Sequence, residues 1–439
     1  MTVELAHPST EPLASRSPAE PAHPRWWFIW TTPGRIFAIG IILATLGALS
    51  AFATSTTIDH RQQALTTVLN HTEPLAFAAG QLYTTLSVAD AAAATAFIAG
   101  AEPRPVRQRY EQAITDAAVA LTQASSGLTD EPMQELLGRI NAQLAIYTGL
   151  IETARTNNRA GNPVGSSYLS EASSLMQDKI LPDAQRLYED TSARVDEETT
   201  ASTSIPTPVI LVIVTTIVFG AFAHRWLVRR TRRRVNIGLV AGGLAIMIMV
   251  IWVGTALAIS TAGSRSAKDT AAESLKTVTN LAITAQQARA DETLSLIRRG
   301  DEDVRKQSYY QRIDTMQLSL AQYLERDDAL ATADLRNADQ LLTKWRSADE
   351  RINAYIAVGN YQAATQVALG TGEDDSTPAF DKLEAALNSG IQESRTRLRN
   401  DILNARRVLS GTTVGGVVLS LGAAVAVALG LWPRLSEYR

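Results

Sequence analysis

Histidine, cysteine and carboxylate side chains are the groups that could bind a metal or carry acid–base and nucleophilic chemistry. In this chain of 439 residues cysteine is absent, and the five histidines are dispersed: His7, His23, His60, His71 and His224. No histidine pair has metal-ligand spacing, no glycine-rich loop has the spacing that cradles phosphate, and no nucleophile has a base at motif spacing. The sequence therefore predicts a protein that is not an enzyme, with no catalytic residue, no metal and no cofactor.

Charged and amide side chains flank four interruptions rich in Gly, Pro and Asn, and these could bind a partner. Loops at the tips of rigid scaffolds commonly carry binding residues, although a solvated turn explains any single residue equally simply. The predicted partner-binding residues are Glu102, Arg104, Arg107, Arg159, Asn162, Asp301, Glu302, Asp303 and Asn360.

A second candidate surface is the arginine-rich stretch RWLVRRTRRR at residues 225–234. Such a cluster could dock an acidic protein or anionic membrane lipid, although membrane topology alone also places basic residues in short cytoplasmic loops. The predicted docking residues are Arg229, Arg230, Arg232, Arg233 and Arg234.

Four apolar stretches must position these groups, and each is near the length that crosses about 30 Å of hydrocarbon as a helix. They cover residues 36–53, 209–223, 237–259 and 414–432. The arginine-rich loop lies between the second and third stretch, so the positive-inside rule places it and both termini in the cytoplasm. The two long segments between the paired spans then face outward from the cell membrane.

These spans divide the chain into predicted domains. The order is a disordered cytoplasmic tail (1–34), a span (35–54), an outer domain (55–205), a span (206–224), a basic cytoplasmic loop (225–235), a span (236–260), an outer domain (261–409), a span (410–432) and a cytoplasmic tail (433–439). The total charge is only −3, and no nucleic-acid partner is expected. Without cysteine the outer domains cannot use disulfides, so packed helices must stabilise them.

The outer segments show apolar residues at spacings of three and four, which is typical of helices. Asp130 is a candidate N-cap, and Pro182 is expected to kink its helix. The predicted helices cover residues 55–99, 106–125, 131–158 and 167–201, then 264–300, 304–324, 330–357 and 361–369, with a last helix from Pro378 into the fourth span. The fold class is therefore an all-α membrane protein with four transmembrane helices and two extracytoplasmic four-helix bundles in tandem.

Matching spacings in the two halves predict a duplicated unit of span, bundle and span. Gly100 and Tyr110 recur as Gly300 and Tyr310 at the same separation. The pairs Gly161–Asn162 and Pro182–Leu187 recur as Gly359–Asn360 and Pro378–Leu383.

This layout, with Gly-Asn-Tyr361-Gln-Ala-Ala364 followed by Pro378-Ala-Phe380-Asp-Lys-Leu383, resembles the sensor region of bacterial chemoreceptors and related four-helix-bundle sensors. Those proteins continue from the second span into a signalling domain, whereas here each exit from the membrane is followed by only a few residues. Two such units with a basic inner loop are similar to the actinobacterial tetraspanning relay family GlnX. That resemblance implies no site residue, because no motif of the family is available to match.

The resemblance implies a relay between two partners. One is an extracytoplasmic solute-binding lipoprotein (GlnH-like) that captures aspartate or glutamate, and the other is a cytoplasmic serine/threonine kinase (PknG-like) that adjusts nitrogen metabolism. A homodimer, as in chemoreceptors, is also compatible. Two alternatives stay open: a structural membrane scaffold of an envelope complex, and a direct small-molecule sensor that uses its own bundles.

Overall fold

The computed structural model describes residues 32–99, 103–126, 130–203, 207–231, 237–297 and 302–412, and scattered residues from 415 to 429. The described residues lie in helices or in the turns between them, and none lies in a strand, which confirms the all-α prediction. The chain divides into two compact units. One unit contains the chain up to Phe52, the segment Ile210–Met249 and the chain from Val418 onward. The other unit contains Ala53–Val209 and Val250–Val417.

Helices α1 (Thr32–Thr67), α7 (Thr207–Thr231) and α8 (Ile237–Ser266) carry the apolar stretches. Within the described residues three helical runs are long and apolar enough to cross a membrane: Phe37–Ile98, Val209–Trp226 and Gly243–Leu296. The fourth predicted span, 410–432, is described only in part, with gaps along it.

Helices α1 and α7 contact each other within the first of these units. The buried hydroxyls of Ser50 and Thr216 lie 3.0 Å apart, and Leu43 packs with Ala223. Thr216 also donates to the carbonyl of Val212 at 2.8 Å, so its polar group is satisfied inside an apolar helix.

The first half of the other unit, residues 53–203, contains α2 to α6. These helices cover Glu73–Ile98, Arg104–Ser126, Glu131–Arg159, Gly165–Leu175 and Leu181–Thr203. Residues at helical spacing, such as Leu82, Leu86, Ile140 and Tyr147, are buried in one core. Gly161 lies in the turn between α4 and α5 at φ +73°, a backbone conformation that residues with a side chain rarely adopt.

The second half, residues 250–412, contains α9 to α13 and has its own core. The helices cover Glu273–Ile297, Glu302–Leu324, Thr332–Ala357, Tyr361–Leu369 and Ser376–Ser410. Trp345 is fully buried and makes edge contacts with Tyr309 and Phe380 at ring-centroid distances of 5.4 and 5.0 Å. The short helix α12 and the loop after it stand where the first half has the continuous stretch from α5 to α6.

Among the described residues, three π-helical segments interrupt the long helices, at Val68–Thr72, Met176–Ile180 and Ala267–Ala272. Pro74 and Pro182 follow the first two segments closely. Proline lacks the amide hydrogen and clashes with the carbonyl four residues earlier, and a π-helical turn is one way to accommodate this defect. The first and third segments begin 199 residues apart, close to the spacing of Gly100 and Gly300, which supports the predicted repeat.

Asp130 occupies the N-cap position of α4, but its side chain makes no capping hydrogen bond. Its carboxylate instead pairs with the guanidinium of Arg194 on α6. The residue was therefore placed correctly from the sequence, but the contact it makes is tertiary rather than local.

Candidate functional site

The predicted partner-binding residues of the first half lie at one end of its helices. Arg104 and Arg107 begin α3 and are exposed, and Arg159 and Asn162 lie at the exposed end of α4. Arg107 pairs with Glu111 at 2.7 Å, and Asn162 donates to Asn157 Oδ1 at 3.1 Å. Glu102 lies outside the described residues.

In the second half only Asn360 can be described in full. It is exposed and caps α12, because its Oδ1 accepts from the amide of Ala363 at 3.2 Å. Glu302 and Asp303 begin α10, but their side chains are not described. Asp301 lies outside the described residues. The same tip exposes three apolar or aromatic side chains that the sequence reasoning missed: Tyr355, Val358 and Tyr361.

Of the predicted docking arginines, Arg229 is exposed on α7. Arg230 belongs to the same helix, but its side chain is not described, and Arg232, Arg233 and Arg234 lie outside the described residues. A docking role for this cluster stays a prediction.

The feature that the sequence did not predict is an extensive interface between the two halves, built on α2 and α9. These helices are equivalent in the predicted repeat, where such a contact would be the intramolecular counterpart of an isologous dimer interface. A Cβ placed on Gly80 would lie 3.4 Å from Cγ2 of Thr279, which shows how closely the two helices approach. Phe77 packs against the core of the second half, and Ile283 belongs to the core of the first.

An ion cluster joins the halves at one end of this interface. The carboxylate of Glu73 is 2 % exposed and accepts from Nε of Arg395 at 2.5 Å and Nη1 of Arg399 at 2.7 Å. Arg395 also lies over the ring of Phe77 at 3.7 Å, and Arg399 donates to the carbonyl of Leu69 at 3.2 Å. Because Leu69 belongs to the π-helical segment before α2, helix α13 of the second half directly holds that segment.

Further polar contacts cross the interface. Arg109 on α3 reaches Asp381 at 2.8 Å and Glu384 at 3.0 Å on α13. Burial raises the pKa of the Glu384 carboxyl, and the nearby charge of Arg109 opposes this shift. Gln287 on α9 donates to the hydroxyl of Tyr83 at 2.9 Å.

Each half also encloses a carboxylate. In the first half Asp90 accepts from the hydroxyl of Tyr147 at 3.3 Å, the hydroxyl of Ser173 at 3.1 Å and the amide of Gln177 at 2.9 Å. These bonds tie α2 to α4, α5 and the π-helical segment that follows. A single carboxylate in the alanine-rich run from 89 to 96 is the sequence signal that could have revealed it.

The second half encloses Glu292, which pairs with buried Arg289 and accepts from the hydroxyl of Ser376. The indole of Trp345 donates to both of its oxygens at 3.2 Å. Arg289 continues the network to Thr377 at 2.8 Å. The network joins α9, α11 and α13.

A second carboxylate, Asp349, lies near this network. Burial, followed by the charge of Glu292, raises its pKa to about 7. A hydrogen bond with Tyr310, the charge of Lys306 and a 2.7 Å hydrogen bond from Asn353 act in the opposite direction. Two carboxylates thus share the core of the second half.

The described residues contain no group of His, Cys, Asp or Glu that could hold a metal ion. The ionic networks cross between helices and between halves, and most of their members are paired with each other. Such an arrangement can transmit a displacement of one helix to its neighbours, because moving one charge away from a buried partner is unfavourable.

Comparison with known proteins points in the same direction. Searches of curated proteins and of solved structures gave no match. A family model described as an actinobacterial sensor domain matches residues 64–200, which is less than a third of the chain and nearly all of the helical part of the first half. This part of the chain is similar to actinobacterial sensor domains, and the match indicates a sensing or signalling role.

Proposed function

We propose that the chain is a non-enzymatic transmembrane signal transducer in the cell membrane. It has four spans, both termini in the cytoplasm and two four-helix bundles outside. Its role is to relay amino-acid availability from a GlnH-like binding lipoprotein, loaded with aspartate or glutamate, to a PknG-like serine/threonine kinase. The match to a sensor domain supports the sensing part of this proposal, and the resemblance to the GlnX family supplies its partners.

The observation that carries the proposal is the ionic contact between Glu73 and the pair Arg395 and Arg399. Glu73 opens α2 directly after the π-helical segment that ends α1, and α1 runs unbroken from Thr32 to Thr67. Arg395 and Arg399 lie on α13, the last long helix of the second half. A partner that favours one arrangement of the two bundles would therefore bias helices that lead to two different apolar segments.

Docking at the outer tips is tested with purified components. Membranes that contain the tagged full-length chain are mixed with the GlnH-like protein and the PknG-like kinase, with and without aspartate or glutamate. We expect co-purification of both partners, and a change in kinase recovery when the amino acid is present. Failure to recover either partner under both conditions contradicts the relay.

A charge reversal at the tip provides the specificity control. Arg104→Glu lies at the exposed start of α3 and should weaken recovery of the binding protein. Arg336→Glu changes another exposed arginine, near the start of α11 at the opposite end of the second half, and should leave recovery unchanged. Reporter fusions after residue 231 and within each half test the topology independently.

A second candidate function, direct sensing of a small molecule, is favoured by one specific feature. A cavity lies between the two halves and is lined by residues of both. Its chemistry is considered next.

A further inference from the structure

The cavity between the halves lies where α2 and α6 face α9 and α13. Both halves contribute walls, which are lined by Phe77, Gly80 and Tyr188 on one side and Leu275, Thr279 and Ile391 on the other. Ligand sites are commonly apolar clefts between domains with a few polar groups that orient the ligand. This cleft fits that description and is separate from the predicted tips.

The size of the cavity limits what can enter it. Its volume is about 50 Å³. About 10–15 Å³ of accessible volume holds one water molecule, so the cavity has room for a few methyl-sized groups. Ala76, Val195 and Leu398 extend the apolar lining, and Gln81 and Ser192 add uncharged polar groups, so a second charge would lose hydration against mostly apolar walls.

Two opposite charges also line the cavity. Nζ of Lys276, on α9, lies 3.8 Å from Oδ2 of Asp196, on α6, and both side chains are about half exposed. At this distance the two groups attract each other but make no hydrogen bond. A third charged group of the lining, Glu73, is already bound by Arg395 and Arg399.

We infer that this cavity binds a small zwitterion with a short, branched apolar group, of which a neutral aliphatic α-amino acid is the simplest example. The ligand carboxylate accepts from Lys276, its ammonium donates to Asp196, and its methyl groups fill the cavity. Both charges of the ligand thereby replace one long ion pair with two charge-assisted hydrogen bonds. Because the site is formed by both halves, binding favours the arrangement in which they are packed together.

This inference does not depend on the lipoprotein relay. The acidic amino acids proposed for that relay carry a second carboxylate, which the apolar cavity disfavours. Loss of binding to the lipoprotein or the kinase would leave the cavity site intact, and loss of the cavity site would leave the relay intact.

The test is isothermal titration calorimetry, in which L-valine is added to the detergent-solubilised full-length chain. We expect saturable binding of valine, and at least about tenfold weaker binding of isobutylamine and isobutyrate, which each keep only one charge. L-aspartate should also bind at least about tenfold more weakly, because its side-chain carboxylate enters the apolar lining.

A matched pair of variants assigns the site. Lys276→Gln should weaken valine binding by about tenfold or more. Lys344→Gln should leave it unchanged, although Lys344 makes a similar 3.7 Å ion pair with Glu373 and is similarly exposed, at 47 % against 49 %. Absence of saturable valine binding, equal binding of aspartate, or wild-type affinity in Lys276→Gln would each overturn the inference.

Discussion

The two halves share a plan but differ in the chemistry of their buried carboxylates. In the first half Asp90 is held by the neutral donors of Tyr147, Ser173 and Gln177. In the second half Glu292 is paired with the cation of Arg289, and Asp349 lies nearby. Tyr147 and Trp345 are 198 residues apart, which is the offset of Gly161 and Gly359, so they occupy equivalent places in the predicted repeat.

The comparison indicates that one helical plan can hold its buried carboxylates in two different ways. In the first half, three hydrogen bonds tie α4, α5 and the π-helical segment after α5 to the one carboxylate of Asp90. In the second half, burial and the nearby charge of Glu292 raise the pKa of Asp349, so the charge of this pair of carboxylates depends on pH. We therefore expect the first half to act as the rigid part and the second half as the adjustable part.

The largest effects should come from neutralising the buried carboxylates Glu292 and Asp90 in two separate variants. Glu292→Gln leaves the 7 % exposed side chain of Arg289 without its anion and should cost about 3–5 kcal/mol in the free energy of unfolding. Asp90→Asn weakens a carboxylate that accepts three hydrogen bonds and should cost about 1–3 kcal/mol. Denaturant unfolding measures both, and hydrogen exchange locates the loosened half. Equal costs would contradict the proposed difference.

A smaller effect is expected from the contact that joins the halves. Glu73→Gln should cost about 2 kcal/mol, between the values for buried and surface ion pairs, because Arg395 and Arg399 keep partial exposure. The packing of α2 on α9 is followed by the rate of disulfide formation between two cysteines introduced by Gly80→Cys and Thr279→Cys, since the natural chain contains no cysteine. We expect slower cross-linking in Glu73→Gln.

The control for that experiment is Arg139→Gln, which removes an ion pair with Asp183 inside the first half. It should leave the cross-linking rate between the halves unchanged. If both variants slowed cross-linking equally, the effect of Glu73 would be general destabilisation rather than loss of a specific contact.

The pH dependence should come from the second half. The pKa of Asp349 is raised to about 7 by burial, so the folded state holds a proton that the unfolded state releases near pH 4. The stabilising effect of this proton is complete below about pH 4 and is lost as the pH rises to about 7, with a slope of at most about 1.4 kcal/mol per pH unit. Asp349→Asn should flatten this dependence between pH 5 and 7.5, as measured by the unfolding midpoint. An unchanged profile would rule out Asp349 as its source.

The smallest effect is expected at the exposed edge of the interface. Arg109→Gln removes the contacts with Asp381 and Glu384, but Arg109 is 39 % exposed, so the cost should be about 1 kcal/mol or less. Arg107→Gln removes a helical ion pair with Glu111 outside the interface and should cost about 0.3–0.5 kcal/mol. Both costs are measured by denaturant unfolding at low and at high salt. The difference between the two costs should shrink at high salt.

Local sequence signals predicted most helix ends correctly. Gly161, Gly359 and the short helix Tyr361–Leu369 lie where turn chemistry and apolar spacing placed them. The π-helical segments were missed, because only the proline after two of them is visible in the sequence and its usual consequence is a kink. The long ionic contacts were missed as well, because charged residues on helical faces read as solvated surface until their partners are known.

The sequence by itself determined that the chain is helical, where its helices end and which stretches are apolar enough for a membrane, because these properties depend on local spacing and composition. Only the tertiary structure decided that α2 packs on α9, that Glu73 meets Arg395 and Arg399 more than 320 positions later, and that a cavity opens between the halves. Pairing between distant helices depends on the shape and charge of whole surfaces, which helical spacing along one segment does not specify.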